Sequence, residues 1–363
     1  MPATVHVLEI AKANLAARQM HEEPLPEALV DGELVVEIEH VALSANTLTY
    51  AAMGRALGYW SLFPASAPEL ARVPAWGHAQ VLASRAIEIE PGARLFGLLP
   101  IASHVRLQGR RSRLGLRETS RDRAALNPVY NQYALRPSNG TAAEATELEL
   151  RALLHPLFIT SFVLAHELKE NRLHGSGEVV VVSASSKTAL GLAYELRGSV
   201  PLTALTGERN AAWLATSGFW DRVVGYESLA SLGSGAPCVL VDFSGDPELV
   251  ARVMASLGRR CVRRVDVGAT HSGTLRLGAS EEDALFSGPA TIERLVRDWG
   301  AAAFERQLEA ALRAFGCAMR PHIEVRHADG PAAVQAAYEA LRRGGIAPST
   351  ALIARPGRTS SEQ

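Results

Sequence analysis

Residues 178–195, EVVVVSASSKTALGLAYE, decide the fold of this chain. The apolar, β-branched run at 179–183 predicts a strand buried on both faces. A turn of small polar residues follows, and residues 189–197 have the apolar spacing of a helix. Free backbone N–H groups and the helix dipole converge where such a turn meets a helix. The stretch therefore predicts an anion site of the kind that holds a dinucleotide pyrophosphate in a Rossmann fold.

Patterns of strand and helix alternate after this stretch, which predicts a doubly wound parallel sheet of the α/β class. The predicted strands are 179–183, 202–206, 222–224, 238–243 and 261–267. Helices are predicted at 146–166, 189–197, 210–217, 247–257 and 290–315, and closing strands at 323–325 and 351–353. Before residue 147 the chain has short alternating segments such as ELVVEIEHVAL at 33–43, broken by Gly and Pro. That part predicts a β-rich domain without a long helix.

Composition limits the class of protein. The 363 residues are 47% hydrophobic and 21% charged, with a formal net charge of −1. That charge balance gives no general attraction to nucleic acid or to an anionic membrane, and no long apolar run predicts a membrane span. Three widely spaced cysteines, Cys238, Cys261 and Cys317, favour reduced thiols. The expected protein is soluble and cytoplasmic, with no signal peptide.

The turn after the first strand departs from the glycine fingerprint G-x-G-x-x-G/A. Ala184, Ser186 and Ala189 take the three glycine places, and all are small enough to allow close approach of a phosphate. Hydroxyl groups and one ammonium group would add donors. The predicted cofactor contacts in this turn are Ser183, Ala184, Ser185, Ser186, Lys187 and Thr188. The alternative is an ordinary strand–helix turn without a ligand.

Cofactor choice depends on the end of the next strand, where an NAD enzyme normally has an acidic residue. Here the strand ends at Thr206, and Arg209 follows within reach of a 2′-phosphate. Charge complementarity predicts NADP and assigns Thr206 and Arg209 to its binding. Glu208 leaves the alternative open, since an inward-turned carboxylate would favour NAD.

Several segments together are similar to the medium-chain dehydrogenase/reductase superfamily. They are residues 31–54, 73–84, 91–100, 127–134, 179–193 and 236–245. The resemblance is closest to a branch described as a domain of unknown function. It implies a GroES-like catalytic domain at 1–150 and 286–363 and a Rossmann domain at 151–285. It also implies a homodimer.

The superfamily contains zinc enzymes and zinc-free reductases. A catalytic zinc needs three protein ligands, yet this chain has no cysteine before Cys238. His78 falls where zinc enzymes have Gly-His-Glu, but Ala79 replaces the acid, so we expect a structural histidine and no metal. The resemblance then implies hydride transfer from NADPH to an activated C=C bond of an enone, quinone or enoyl thioester.

In the enoyl reductase subgroup, a tyrosine after the N-x-x-(D/T) segment is the implied proton donor. Tyr59 is nearest that place and Tyr50 is the second candidate, while Asn46 would orient substrate or ribose. The structural alternatives are that Tyr59 walls an apolar cleft and that Asn46 holds a turn. Residues 266–271, with Gly268 and His271, occupy a place that in relatives contacts nicotinamide.

The segment 104–123 holds seven arginines against one Glu and one Asp. One hypothesis is a mobile basic loop that captures the phosphates of a coenzyme A or carrier-protein substrate, and the other is a solvated insertion. A carrier-dependent accessory enzyme is therefore one alternative function. Another is a non-catalytic NADP(H)-binding sensor or scaffold, favoured by the missing glycines.

Overall fold

The computed structural model describes residues 4–26, 28–136, 141–267 and 284–358. The chain forms two compact units, residues 1–153 with 324–363 and residues 154–323. The return of the chain to the first unit comes at 324 and not at the expected 286. Residues 286–323 stay in the second unit because their side chains pack there: the Phe315 ring stacks on Phe158 at 4.8 Å, and Thr291 Oγ1 donates to Glu167 Oε2 at 2.8 Å.

The N-terminal part of the first unit is made of short strands and one short helix. They are β1 Thr4–Ala11, β2 Asn14–Pro24, β3 Glu33–Leu43, α1 Ala45–Ala52, β4 Leu70–Arg72, β5 Pro74–Ser84, β6 Arg94–Pro100, β7 His104–Arg111, β8 Gly115–Glu118 and β9 Gln132–Arg136. The long helix α2, Ala142–Glu170, follows.

The second unit alternates strands and helices. They are β10 Glu178–Val182, α3 Lys187–Leu196, β11 Leu202–Thr206, α4 Glu208–Thr216, β12 Arg222–Gly225, β13 Cys238–Asp242, α5 Pro247–Leu257, β14 Cys261–Asp266, β15 Ala284–Leu285, α6 Gly288–Trp299 and α7 Ala301–Met319. The chain then ends in the first unit with β16 Glu324–Asp329, α8 Gly330–Arg342 and β17 Thr350–Arg355.

Antiparallel pairing closes a barrel in the first unit. Strands run in the order β3-β5-β6-β9-β8-β7, and β7 pairs back onto β3, so the ring of six has no free edge. β17 and β16 extend the sheet from β3, and β2, β1 and β4 form a separate small sheet. This is the GroES-like domain that the sequence predicted.

The second unit has a parallel sheet in the order β12-β11-β10-β13-β14-β15. This is the 3-2-1-4-5-6 order of a Rossmann fold, and it confirms the predicted α/β class. The four valines of β10 are fully buried, as a central parallel strand requires. Strand order reverses between β10 and β13, so ligands of this fold bind outside the carboxyl ends of those two strands.

Three local elements differ from expectation. The short helix α1 was not predicted, nor was α8. The single helix expected at 290–315 is two helices, because Gly300 adopts φ 80°, ψ 143° and ends the first of them.

Helix α2 also differs from expectation. Its segment Glu144–Glu170 is long and apolar enough to cross a membrane, with a mean hydropathy of 1.5, whereas the sequence predicted no such segment. However, 67% of the most apolar stretch of this segment is buried inside the protein. Core helices of soluble proteins have the same length and composition, so the segment is weak evidence for a span.

Candidate functional site

The turn between β10 and α3 has an unusual backbone. Ser183 adopts φ 58°, in the left-handed region that favours glycine. Of the three glycine places assigned from sequence, Ser186 is the N-cap of α3 in an extended conformation, and Ala184 and Ala189 are fully buried. None of the three carries a positive φ. The strained position is therefore one residue earlier than the fingerprint alignment indicated.

Several amides of this turn already have partners. The Ser183 N–H donates to Tyr226 Oη at 3.1 Å, and the Ala184 N–H to Leu205 O at 3.0 Å. Further along the turn, the Ser186 N–H donates to Ser183 O, and the Ala189 N–H to Ser186 Oγ.

Within the described part of the chain, the N–H groups of Ser185 and Thr188 have no partner. These two amides, together with the helix dipole, are what the turn offers to an anion.

Lys187 begins α3 and is half-buried. Burial lowers the pKa of its ammonium group to about 8, from an ordinary value of 10.5. A bound phosphate would favour the charged form and raise that pKa again. A positive charge at the start of α3 therefore suits an anion site.

Gly191 lies where α3 packs against α2. A Cβ on Gly191 would come within 2.7 Å of Ser161 Oγ and 3.0 Å of Phe158 Cδ2. The same Ser161 hydroxyl donates to Thr188 O at 2.6 Å, so it anchors the first turn of α3. In the fingerprint one glycine serves close helix packing, and in this chain Gly191 has that function two residues after the predicted place.

The next strand end supplies a second part of the site. Thr206 is buried, whereas Arg209 is exposed, and the Arg209 side chain has no ion pair among the described residues. The Glu208 carboxylate lies on the end of β12, where a side chain on Gly225 would overlap it. Asn210, which sequence reasoning missed, donates from Nδ2 to Ser185 Oγ at 3.4 Å and so links this strand end to the turn.

Two further residues at the carboxyl edge of the sheet were missed. Tyr226 follows β12 and accepts the Ser183 N–H, as described above. Asp242 ends β13 beside β10, and burial raises its pKa. Its carboxylate accepts hydrogen bonds from the Ser244 N–H and hydroxyl, at 2.8 and 2.6 Å, and from the Gly245 N–H at 3.2 Å. Asp242 therefore stabilises its own turn.

In the first unit the predicted residues Tyr50 and Tyr59 lie together, with ring centroids 4.7 Å apart. Tyr59 Oη is 2.9 Å from Tyr130 Oη, and Trp76 Nε1 donates to Tyr50 Oη at 2.9 Å. The neighbouring Asn46 side chain lowers the pKa of the Tyr50 phenol, against the larger effect of burial. We call Tyr50, Tyr59 and Tyr130 the tyrosine cluster.

Burial raises the pKa of both Tyr50 and Tyr59 above the ordinary phenol value, and the neighbouring Tyr130 raises both further. Both phenols are therefore protonated at neutral pH. Tyr50 and Tyr59 are 5% and 6% exposed, while Tyr130 is only partly buried. Tyr130 is thus the open end of the Tyr59–Tyr130 pair, and it was not among the predicted catalytic residues.

Helix α1 explains the position of Asn46. Ser44 is the N-cap, and Thr47 Oγ1 accepts the Ser44 N–H at 3.1 Å as part of a capping box. Thr49 Oγ1 donates to Ala45 O. The Thr47 and Thr49 hydroxyls are therefore bonded within the helix and its cap, and the Asn46 amide is not part of this capping.

His78 lies in the barrel core. Its Nδ1 is 3.1 Å from Nε2 of His40, and both rings are buried. Burial lowers the pKa of His40 to about 4 and that of His78 well below its ordinary value, so both imidazoles are neutral. Among the described residues no three His, Cys, Asp or Glu side chains form a group able to hold a metal.

The arginine-rich segment is not a mobile loop but part of the barrel, as strands β7 and β8. Arg123 is buried and pairs with buried Glu118 at 3.2 Å, while the guanidinium also donates to Leu62 O and Tyr133 Oη at 3.0 Å. Most of the other arginines lie on the outward face. The predicted contacts Gly268 and His271 lie outside the described residues.

Comparison with solved structures shows the same fold at low sequence identity. CurA from Vibrio vulnificus in complex with NADPH matches with a TM-score of 0.61 and 12% identity, covering 98% of this chain and 100% of that one. A putative NADPH:quinone reductase from Bacillus thuringiensis matches with a TM-score of 0.60 and 15% identity, covering 97% and 99%. CurK enoyl reductase matches with a TM-score of 0.55 and 14% identity, covering 96% and 98%.

No curated protein sequence shows a significant match. The likeness to these solved structures, at 12–15% identity, shows the fold alone, and it agrees with the predicted GroES-like and Rossmann domains. The profile of a family described as "Protein of unknown function (DUF2855)" matches residues 41–347, which is most of the chain. The protein therefore belongs to the DUF2855 family.

Proposed function

We propose that the protein is a zinc-independent oxidoreductase that uses NADPH to reduce an activated C=C bond of an enone, quinone or enoyl thioester. The observation that carries the proposal is the turn after β10, at the switch point of a Rossmann sheet. There, the Ser185 and Thr188 amides have no partner among the described residues, and Lys187 begins the helix that follows. The proteins of similar fold include an NADPH complex, a putative quinone reductase and an enoyl reductase.

The residues of the second unit fit a dinucleotide phosphate. The amides of Ser185 and Thr188 would hold the pyrophosphate, with Lys187 as its counter-ion. Arg209 would pair with the 2′-phosphate because it is exposed, uncompensated and next to a neutral strand end at Thr206. The alternative preference for NAD rests on Glu208, whose carboxylate lies against Gly225.

NADPH would supply a hydride to the electron-poor carbon of the double bond, and the adjacent carbon then needs a proton. The Tyr59–Tyr130 pair is suited to give it. The raised pKa keeps Tyr59 protonated at neutral pH, so it acts as donor and not as base. Since one phenol proton lies between the two oxygens, the other is available to a substrate oxygen or carbon. Asn46 and Trp76 position Tyr50 behind this pair.

Zinc independence is part of the proposal. The first unit has no cysteine, and His78 is occupied with His40 in the barrel core. A Lewis acid is not needed where a protonated phenol can stabilise the developing enolate oxygen.

The cofactor proposal is tested by titrating the protein with NADPH and NADH, followed by nucleotide fluorescence. Arg209→Ala should weaken NADPH binding by about tenfold or more through loss of a charge-assisted contact, and leave NADH binding unchanged. Arg313→Ala, an exposed arginine on α7, is the matched control and should change neither. Equal losses for both nucleotides in Arg209→Ala would remove the 2′-phosphate assignment.

The chemical proposal is tested by NADPH oxidation with a panel of enones, quinones and enoyl thioesters. Tyr59→Phe and Tyr130→Phe should each lower turnover by about 10²-fold or more while leaving NADPH affinity unchanged. Tyr194→Phe, a tyrosine on α3 in the other unit, is the control for a generic loss of a phenol. Full turnover in both cluster variants would dismiss this pair as the proton source.

A non-catalytic NADP(H)-binding protein is the second candidate. It is favoured by the burial of Tyr50 and Tyr59, by the hydrogen bond between Tyr59 and Tyr130, and by the absence of glycines in the turn. NADPH binding without oxidation of NADPH by any member of the panel would select it over the reductase.

A further inference from the structure

Two arginines face each other across the β7–β8 hairpin. Arg110 and Arg117 are directly opposed in the antiparallel register, and both are exposed. Neither side chain forms an ion pair or hydrogen bond with any residue that the structure describes. On the same strand, Arg106 does have a partner, Glu33, at 3.6 Å. Like charges opposed in a ladder repel, so the hairpin holds an uncompensated pair of positive charges.

These two side chains line a cavity of about 300 Å³, a volume at the lower end for small-molecule sites. The acidic residue of the lining, Glu118, is already neutralised by Arg123 at 3.2 Å. The charge left over in the cavity is therefore that of Arg110 and Arg117, which matches a dianion.

Asn131 lines the same cavity and gives an independent indication of a ligand. The residue is 8% exposed, and its Nδ2 donates to Arg123 O at 3.0 Å. Its Oδ1 is buried and has no partner. A buried acceptor without a donor costs free energy, and a hydroxyl or amide N–H on a bound ligand would satisfy it.

We propose that Arg110, Arg117 and Asn131 form a binding site for a phosphate monoester that also carries a hydrogen-bond donor. A phosphate monoester has nearly two negative charges and three acceptor oxygens, which two guanidinium groups can engage. The donor on the ligand would occupy Asn131 Oδ1.

The site adjoins the tyrosine cluster. Tyr130 and Asn131 are consecutive residues of one short 3-10 helix, Pro128–Asn131, and Tyr130 Oη meets Tyr59 Oη. The phosphate is therefore assigned to the substrate, where it would bind beside the group that reacts and hold the substrate in place. This second step rests on the proposed function, whereas phosphate binding itself does not.

The first experiment measures binding of inorganic phosphate to the nucleotide-free protein by calorimetry in chloride buffer. Arg110→Ala and Arg117→Ala should each weaken binding by about tenfold or more. Arg117→Lys should bind phosphate more weakly than the wild type but more tightly than Arg117→Ala, since lysine keeps the charge and lacks the paired N–H donors of the guanidinium group. Arg121→Ala is the matched control, because Arg121 is exposed in the same segment but outside the cavity. Equal losses in Arg121→Ala and Arg117→Ala, or no phosphate binding at all, would overturn the site.

The second experiment identifies the source of the phosphate with coenzyme A and 3′-dephospho-coenzyme A, which differ by one phosphate monoester. Tighter binding of coenzyme A, lost in the Arg110→Ala/Arg117→Ala double variant, supports a substrate-borne phosphate. Equal binding of the two, with inorganic phosphate still bound, overturns the substrate assignment and keeps a site for free phosphate. Neither measurement uses NADPH or turnover, so failure of the proposed reductase activity would be seen separately.

Discussion

Gly191→Ala tests whether close packing of α3 on α2 holds the phosphate turn. In a helix interior this change would ordinarily stabilise by about 1 kcal/mol, through helix propensity. Here the new Cβ would lie 2.7 Å from Ser161 Oγ and 3.0 Å from Phe158 Cδ2, and such overpacking costs about 1–3 kcal/mol. Displacing Ser161 would also break its 2.6 Å bond to Thr188 O, which is worth about 1 kcal/mol. We therefore expect Gly191→Ala to lower the free energy of unfolding by about 1–3 kcal/mol.

The assay is urea denaturation followed by circular dichroism, with NADPH titration of each variant as the second readout. Gly316→Ala on α7 is the matched control, since its Cβ would meet nothing within 4 Å. The free energy of unfolding of Gly316→Ala should be about 1 kcal/mol higher than that of the wild type. In the Gly191→Ala/Ser161→Ala double variant the closest contact is absent. Its free energy of unfolding should therefore fall by less than the sum of the decreases in the two single variants. If Gly191→Ala stabilised the protein as much as Gly316→Ala does, the argument for close packing would fail.

Two further predictions concern charged groups. In the folded, unliganded protein the pKa of Lys187 is about 8, so its side chain loses the positive charge above that pH. NADPH affinity should then fall by up to about tenfold per pH unit. Titrations from pH 6.5 to 9.5 should show this fall in the wild type and a flatter profile in Lys187→Met. Arg123→Ala should destabilise by about 3–5 kcal/mol, because it leaves Glu118 charged and buried without its partner. Arg121→Ala is the exposed control for the second measurement, and an equally small shift in denaturation midpoint for both would contradict it.

The Rossmann half was predictable because its information is local. Strand β11 and helix α5 begin and end at the predicted residues, since each has its own apolar period and a turn or cap at its ends. The break at Gly300 and the helix α8 also have local indications in the sequence. Gly300 follows an amphipathic run, and α8 begins with Asp329-Gly330-Pro331 before a helical period.

The site was less predictable because its contacts join residues distant in sequence. Nothing near Ser183 indicates that its amide is held by Tyr226, a residue 43 positions later. Likewise Tyr130 lies 71 positions from Tyr59, its partner. The arginine-rich segment is solvated, as one of the two hypotheses held, but its strand structure was not predicted. Exposed Arg106, Gln108 and Arg110 alternate with buried Leu107 and Gly109, which is the period of a barrel strand. The high density of positive charge, however, resembles that of a solvated loop.

The loss of glycine from the phosphate turn changes which groups must recognise an anion there. In a glycine-rich turn the backbone approaches the phosphate and side chains contribute little. Here the Ser183, Ala184 and Ser186 amides are already bonded, so the backbone of the turn offers fewer donors and side chains must contribute more to recognition. An ammonium group with a lowered pKa and an arginine at the next strand end supply charge that the backbone no longer can. Binding in this protein should therefore depend more steeply on salt and pH than in a glycine-rich relative, because ionic contacts replace dipolar ones.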